Sequence, residues 1–399
     1  MRISDNMVAS LLRGNLAMTR ENLYRIQAKI TSGKNVQLPS DDPTAYELIY
    51  RLKNDQSCLT QKARNADGLS LDLAGADGVL QNIQDILHRA HELATLASDG
   101  TKPPADRVSM GKEVDLLLNQ LVGLANSSIQ GRHLFGGLRT QDTPYTATDT
   151  DADGYIDTIT YNGNTGVREV EINRYIPGSS ANRVEANIPG SDPTSSKAVF
   201  ETNQMNLFQT LIRLRDRLLA GQNPVNTPNF TADPGTDTLT LAAGYPIQTG
   251  AQVQVASVNG SVPAGLTAGK TYYAVALSPT QIQLAETYAD AVNVPPLVVD
   301  ITSTGTGTLT ATETHLGELT NCLNHILNLR ADVGGRIKRV DMNNILLLDS
   351  QETNLKALQK REDVDIALAA TELAQQQNAY EAALRIIAAT LSSSMVDYM

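Results

Sequence analysis

The chain has 399 residues, enough for two or three domains, and its 41% hydrophobic and 19% charged residues are ordinary for a folded protein. With 32 Lys plus Arg against 43 Asp plus Glu, the formal net charge of -11 argues against nucleic acid and membrane as partners, because both select basic surfaces. The two cysteines, Cys58 and Cys322, lie too far apart in sequence for a CxxC metal site, and we expect both to be buried thiols.

The N-terminal half is dominated by helical periodicity. Residues spaced alternately by four and three predict a coiled-coil helix near the start of the chain. The apolar ones are Leu12, Leu16, Leu23, Ile26 and Ile30, and Thr19 fills the step between Leu16 and Leu23. After a break at Gly33 and Pro39 the stripe restarts and predicts a helix over about 44–97, roughly 80 Å long at 1.5 Å per residue. A further amphipathic helix over about 107–128 folds back, and we expect residues 44–128 to form an intramolecular core.

The middle of the chain changes character twice. Gly, Thr, Asp and Asn become frequent over about 136–197, which predicts a small β region, and a helix with one apolar face follows over 200–220. Residues 222–312 carry few charges and short, evenly spaced strand patterns, which indicate an inserted β-sandwich or barrel. The predicted strands are TLTLA, AQVQVASV, TYYAVAL, TQIQLA and LVVDI.

Helical periodicity returns from about residue 313. Gly334 and Gly335 predict either one long helix that tolerates them or a kink. Near the end, an apolar stripe with a seven-residue repeat predicts a helix that packs along another helix. The repeat consists of Ile366, Leu373, Tyr380 and Ile387, and Leu384 and Leu391 flank it.

The predicted fold class is α+β: a long helical coiled-coil rod built from the N- and C-terminal segments, a small central β region and an inserted all-β domain. The predicted domains are an N-terminal helix at 1–43, a helical rod at 44–139, the β region at 140–199, a rod helix at 200–221, the inserted β-sandwich or barrel at 222–312, a C-terminal rod helix at 313–360 and a C-terminal coil at 361–399.

One segment has the composition of a metal-binding loop. DTDADGYID places four carboxylates where calcium-loop oxygens would lie, with Gly154 at the sharp turn, and they are Asp149, Asp151, Asp153 and Asp157. The twelfth loop position holds Thr160 instead of the usual bidentate Glu, and solvated Asp-Gly turns have a similar composition. The sequence therefore leaves a calcium site and a solvated turn as alternatives. It contains no GxSxG, Walker or strand-linked GxGxxG motif, and we expect no enzymatic activity and no other cofactor.

Three segments resemble the flagellin family of axial proteins. SGKNVQLPSDDPTAYELI at 32–49 is similar to the family's turn and helix start, GRHLFGG at 131–137 to a Gly- and aromatic-rich segment, and the sequence of 361–399 to the C-terminal coil. The Asp-Asp-Pro form of the turn resembles the junction subunits of the family more than its filament flagellins.

The resemblance implies a secreted structural subunit of the extracellular bacterial flagellum, exported through a dedicated channel and aided by a chaperone. It implies a ring of copies that joins a hook-associated protein below to flagellin above through the apolar residues of the two terminal helices. Two alternatives remain: a filament-forming flagellin, and an adhesive surface or phage-tail-like fibre protein that binds a ligand through its inserted β module.

Overall fold

The computed structural model describes residues 5–172, 183–242 and 247–396, and it has an α+β fold. Its helices are α1 (Asp5–Ser32), α2 (Pro43–Ala97), α3 (Pro104–Ala125), α4 (Leu207–Leu219), α5 (Tyr288–Val292), α6 (His315–Glu362) and α7 (Ile366–Val396). The chain divides into two compact units, one formed by residues 1–64 and 344–399 and the other by residues 65–343. No described helix holds a stretch both long and apolar enough to span a bilayer.

The first unit is helical. It contains α1, the start of α2, the end of α6 and α7, and α1 packs against α7. Each of these two helices has a row of half-buried positions at spacings of three and four, as expected for helices that pack along their length.

The second unit is built on a helical core. The later part of α2, helices α3 and α4 and the start of α6 bury their apolar stripes together, so the predicted intramolecular core of α2 and α3 is confirmed from Ala66 onwards. Among the buried side chains are Leu80, Ile83, Leu87, Leu118, Leu121, Leu211, Leu214, Leu319, Ile326 and Val333. Phe200 stacks on Phe208 at 5.0 Å between ring centroids and extends this core towards the β region.

Two predicted helices differ in their bounds. Helix α3 spans Pro104–Ala125 instead of about 107–128, since Pro104 occupies the first turn, where a missing N–H is harmless. Helix α4 starts at Leu207 instead of residue 200, because the Asn206 side chain accepts a hydrogen bond from Gln209 N at 3.1 Å and caps the helix there. Helix α6 continues unbroken through Gly334 and Gly335, which settles the choice between a continuous helix and a kink.

The small β region consists of short ladders. Its strands are β1 (Ser128–Ile129), β2 (Arg132–His133), β3 (Tyr145–Thr148), β4 (Thr158–Tyr161), β5 (Glu169–Glu171), β6 (Arg183–Glu185), β7 (Ser191–Asp192) and β8 (Glu201–Thr202), paired consecutively. Residues 173–182 of the predicted β region lie outside the described residues.

The inserted module is one seven-stranded sheet. Its strands are β9 (Val225–Asn226), β10 (Phe230–Asp233), β11 (Thr238–Leu241), β12 (Gln252–Val258), β13 (Thr271–Ser278), β14 (Gln281–Ala285) and β15 (Thr308–Thr314), in the order β10-β11-β14-β13-β12-β15-β9. Ala311 N in β15 donates to Pro228 O, just before β10, at 3.0 Å, so the sheet curls until the edge strand β10 meets β15, the neighbour of the short edge strand β9. Of the two predicted architectures, this closure is that of a barrel.

The barrel encloses its own core. Along β12, Val253 and Val255 are buried while the intervening Gln254 is exposed, the alternation that a sheet with one inward face requires. Four predicted strands are confirmed as β11, β12, β13 and β14. The prediction of a strand at LVVDI is wrong, because this segment is attached only through separate hydrogen bonds such as Val299 N to Leu284 O at 2.7 Å.

Candidate assembly interface

The turn between α1 and α2 is held by two aspartates. Asp41 Oδ2 accepts hydrogen bonds from Gln37 N at 3.1 Å and Leu38 N at 3.0 Å and so closes the turn. Asp42 Oδ1 accepts from Ala45 N at 3.0 Å, which makes Asp42 the N-cap of α2, with Pro43 as the first helical residue. These backbone hydrogen bonds lower the pKa of both carboxyls. The Asp-Asp-Pro sequence therefore fixes where helix α2 begins.

A second turn, between α6 and α7, binds the first one. Asn35 N donates to Glu362 O at 2.6 Å, and Val364 N donates to Gly33 O at 3.0 Å. The buried Glu362 carboxylate also pairs with Lys34 at 2.6 Å and Lys53 at 2.8 Å. We call these contacts the turn clasp.

The two lysines of the turn clasp favour the ionised form of the Glu362 carboxyl. Burial by itself would raise the pKa of Glu362, but the hydrogen bonds and charges of Lys34 and Lys53 outweigh it and lower that pKa. The clasp connects the turn that follows α1 to the turn that precedes α7. It therefore holds the C-terminal end of α1 beside the N-terminal end of α7.

The structure places the predicted packing residues in two groups. Those with half-buried side chains in the α1 and α7 rows are Leu12, Leu16, Leu23, Ile26, Ile30, Leu373, Tyr380 and Ile387. Ile366 and Leu384 are exposed, and the Leu391 side chain lies outside the described residues. Since α1 and α7 pack on each other, the half-buried rows have an intramolecular partner that the sequence does not reveal.

Other apolar side chains on the same two helices remain open to solvent. On α1 they are Leu11, Met18 and Tyr24, and on α7 they include Leu368 and Ile386; each is more than half exposed. Large exposed apolar side chains on neighbouring helices mark a surface suited to protein contacts. We call these five residues the outer apolar set. The apolar periodicity of the sequence does not distinguish the outer apolar set from the half-buried rows of α1 and α7. It shows which residues are apolar, but not which of them another helix of the same chain covers.

The acidic loop connects β3 and β4. Asp149, Asp151 and Asp153 are exposed, and one carboxylate oxygen from each lies within 4.8 Å of the others. Asp157 is not one of the three, and its Oδ2 accepts a hydrogen bond from Thr150 N at 2.7 Å. The loop thus offers three of the six to eight oxygen ligands that calcium takes.

Backbone hydrogen bonds and repulsion between carboxylates shift the pKa of Asp151 in opposite directions. The backbone N–H of Asp153 stabilises the Asp151 carboxylate, but partial desolvation and the nearby carboxylates of Asp153, Asp157 and Asp149 together raise the pKa of Asp151. A bound cation would relieve that repulsion. Arg215, which is buried, donates to Ile156 O at 2.7 Å and anchors the loop to α4.

Comparison with known proteins covers the N-terminal third best. Residues 3–140 match the bacterial flagellin N-terminal helical region. Flagellar hook-associated protein 3 of Salmonella typhimurium is 28% identical over 146 residues, 36% of this chain and 46% of that protein, so the chain spans about half the length of this relative. B-type flagellin of Pseudomonas aeruginosa is 30% identical over 137 residues, 34% of this chain and 28% of that protein.

A solved structure of a flagellar hook-associated protein from Vibrio parahaemolyticus aligns with 81% of this chain and 100% of its own, at 14% identity and a TM-score of 0.47. The relationship therefore rests on the N-terminal sequence matches. Over residues 3–140 the chain is similar in sequence to the flagellins and to a flagellar hook-associated protein, which confirms the family resemblance of the segments at 32–49 and 131–137.

Proposed function

We propose that this protein is a structural subunit of the bacterial flagellum that joins the hook-associated layer to the flagellin filament. The observation that carries the proposal is the flagellin N-terminal helical region over residues 3–140, shared with a hook-associated protein and with flagellins. The packed pair of α1 and α7 with its outer apolar set supports it, since a repeated heterologous contact between such surfaces builds a ring or tube.

The proposed role is mechanical and needs no catalytic group. Copies of the chain form a ring through α1 and α7, with a hook-associated protein on one side and flagellin on the other. The turn clasp keeps these helices in register because two lysines hold the buried Glu362 carboxylate. The proposal includes export to the cell exterior, with a chaperone that covers the apolar helices beforehand.

The Asp-Asp-Pro turn favours a junction subunit over a filament-forming flagellin, as the sequence resemblance implies. The two alternatives give different phenotypes when the gene is deleted in the source bacterium. A junction subunit leaves intact hooks without filaments and flagellin in the medium. Normal filaments in the deletion strain overturn the proposal, and the absence of flagellin from both the cell surface and the medium assigns the chain to the filament instead.

Complementation tests the outer apolar set. Met18→Lys combined with Leu368→Lys places two charges on exposed positions of α1 and α7, and we expect this variant to be exported but not to restore filaments. Leu116→Lys is the matched control, since Leu116 is 63% exposed on α3 and lies outside the outer apolar set. Restoration of filaments by the double variant removes these residues from the interface.

We further propose that the acidic loop binds calcium weakly through Asp149, Asp151 and Asp153, whose oxygens already lie together. Isothermal titration calorimetry with calcium chloride is expected to give one site, which Asp151→Asn weakens because it removes one carboxylate ligand. Asp142→Asn, in the preceding exposed segment, is the control. An absence of heat at millimolar calcium leaves the loop as a solvated turn.

A further inference from the structure

A polar groove lies between helix α6 and the barrel within the second unit. It has a volume of about 410 Å³ and is lined by the 321–328 segment of α6, by Tyr273 of β13, by Tyr288 of α5 and by Gln204. This volume is within the range of about 300–1,000 Å³ typical of small-ligand sites. A smaller cavity of about 230 Å³ shares Asn321 and extends the groove along the barrel.

The α6 face of the groove is a row of amides. Asn321, Asn324 and Asn328 are exposed and recur at spacings of three and four, so they lie on one side of the helix. No hydrogen bond or ion pair within the described part of the chain engages their side chains. Asn is a poorer helix former than Ala, because its amide competes with the helical backbone for hydrogen bonds. Packing does not require the row, since the buried face of α6 is elsewhere.

The 410 Å³ cavity itself is nearly uncharged, whereas an adjoining cavity of about 610 Å³, which shares Gln204, His325 and Asn328 with it, is lined by charged side chains such as Arg183, Lys197 and Arg336. Burial lowers the pKa of His325, although its hydrogen bond to Ala198 O raises it, so the imidazole is neutral at pH 7. Burial raises the pKa of Tyr288 to about 12, so its phenol stays protonated. Among the described residues that line the 410 Å³ cavity, Glu286 is the one with a charged side chain. It forms an ion pair with Lys270, whose Nζ lies 2.6 Å from Glu286 Oε1.

We propose that this groove binds a neutral glycan. Amides present both donors and acceptors, the combination that matches sugar hydroxyls, which also both donate and accept. The half-buried Tyr273 adds part of an aromatic ring to the lining of the groove. Within the 410 Å³ cavity a charged ligand lacks a counter-ion, and a wholly apolar one would leave the amide row without hydrogen bonds. The inference is independent of the flagellar role, because it uses no residue of α1 or α7.

The test is binding of the full-length protein to an array of neutral and acidic oligosaccharides, followed by calorimetry with the best neutral ligand. Asn321→Ala, Asn324→Ala and Asn328→Ala are combined in one variant. We expect its affinity to fall by about tenfold or more, because several hydrogen bonds are lost. Its Tm is not expected to fall, because Ala favours the helix.

Asn54→Ala is the matched control, since Asn54 is an exposed amide on helix α2 in the other unit. We expect it to change neither affinity nor fold. The proposal is overturned if the wild-type protein binds no neutral glycan on the array, if it binds only acidic ones, or if the triple variant binds as tightly as the Asn54→Ala protein.

Discussion

Glu318 holds the barrel to the helical core of the second unit, and its replacement is a stringent test of the structure. Its carboxylate is 3% exposed and accepts hydrogen bonds from Gln252 N in β12 and from Arg213 Nη2 in α4, both at 2.8 Å. His315 Nδ1 lies 3.7 Å away. Glu318→Gln keeps the shape of the side chain but leaves the buried Arg213 guanidinium without its closest counter-ion.

The contribution of the ionised Glu318 to the free energy of unfolding follows from its pKa. Burial alone would raise its pKa, but the Arg213 charge and the contacts with His315 outweigh burial and lower the pKa from 4.5 to about 2. The difference corresponds to about 3 kcal/mol in the free energy of unfolding. Because the folded-state pKa is the lower one, this stabilisation is complete above pH 4.5 and is lost as the pH falls towards 2. Removing one partner of a buried ion pair costs about 3–5 kcal/mol, in agreement.

The assay is urea denaturation followed by far-UV circular dichroism at several pH values. At pH 7 we expect Glu318→Gln to lose about 3 kcal/mol of unfolding free energy, and the gap from wild type to narrow below pH 4. Glu113→Gln is the control, because its pair with Arg89 at 2.7 Å is exposed and such pairs contribute less than about 1 kcal/mol. Equal losses in the two variants, or a gap that is constant with pH, would refute the reasoning.

Three further changes test helix packing, thiol burial and helix capping. Gly111→Ala should lower the Tm because the added Cβ would lie 2.9 Å from a backbone nitrogen of α4. Gly123→Ala in the same helix meets nothing within 4 Å and should stabilise the protein by about 1 kcal/mol. A lower Tm for Gly123→Ala than for Gly111→Ala would contradict the packing of α3 on α4. Ellman's reagent should titrate one thiol in the native protein, the exposed Cys58, because burial raises the pKa of Cys322 to about 12; two rapidly reacting thiols would contradict this. Asp42→Ala should lower the Tm by removing the α2 cap, and an unchanged Tm would argue against that cap.

The sequence predicted the long helices well because their apolar periodicity is strong and local. It was wrong about the burial of Cys58, which is exposed, since a thiol near a stripe is not necessarily on the face that packs. It also missed the barrel's β10 and β15, because FTAD and TLTATET are rich in Thr and carry few large apolar side chains. A strand of that kind forms only when its neighbours supply the ladder of hydrogen bonds.

The flagellin-like N-terminal region, the α+β class, the acidic composition of the 149–157 loop and the insertion of a β module are all properties that the sequence by itself determined, because each depends on residues close together along the chain. Tertiary structure alone decided three others: the pairing of α1 with α7, the turn clasp through Glu362, and the position of the α6 amide row opposite Tyr273 of β13 and Tyr288 of α5. Each of these joins residues far apart in sequence. Periodicity gives the face of a helix, but only packing in space decides which partner covers that face and which face stays open.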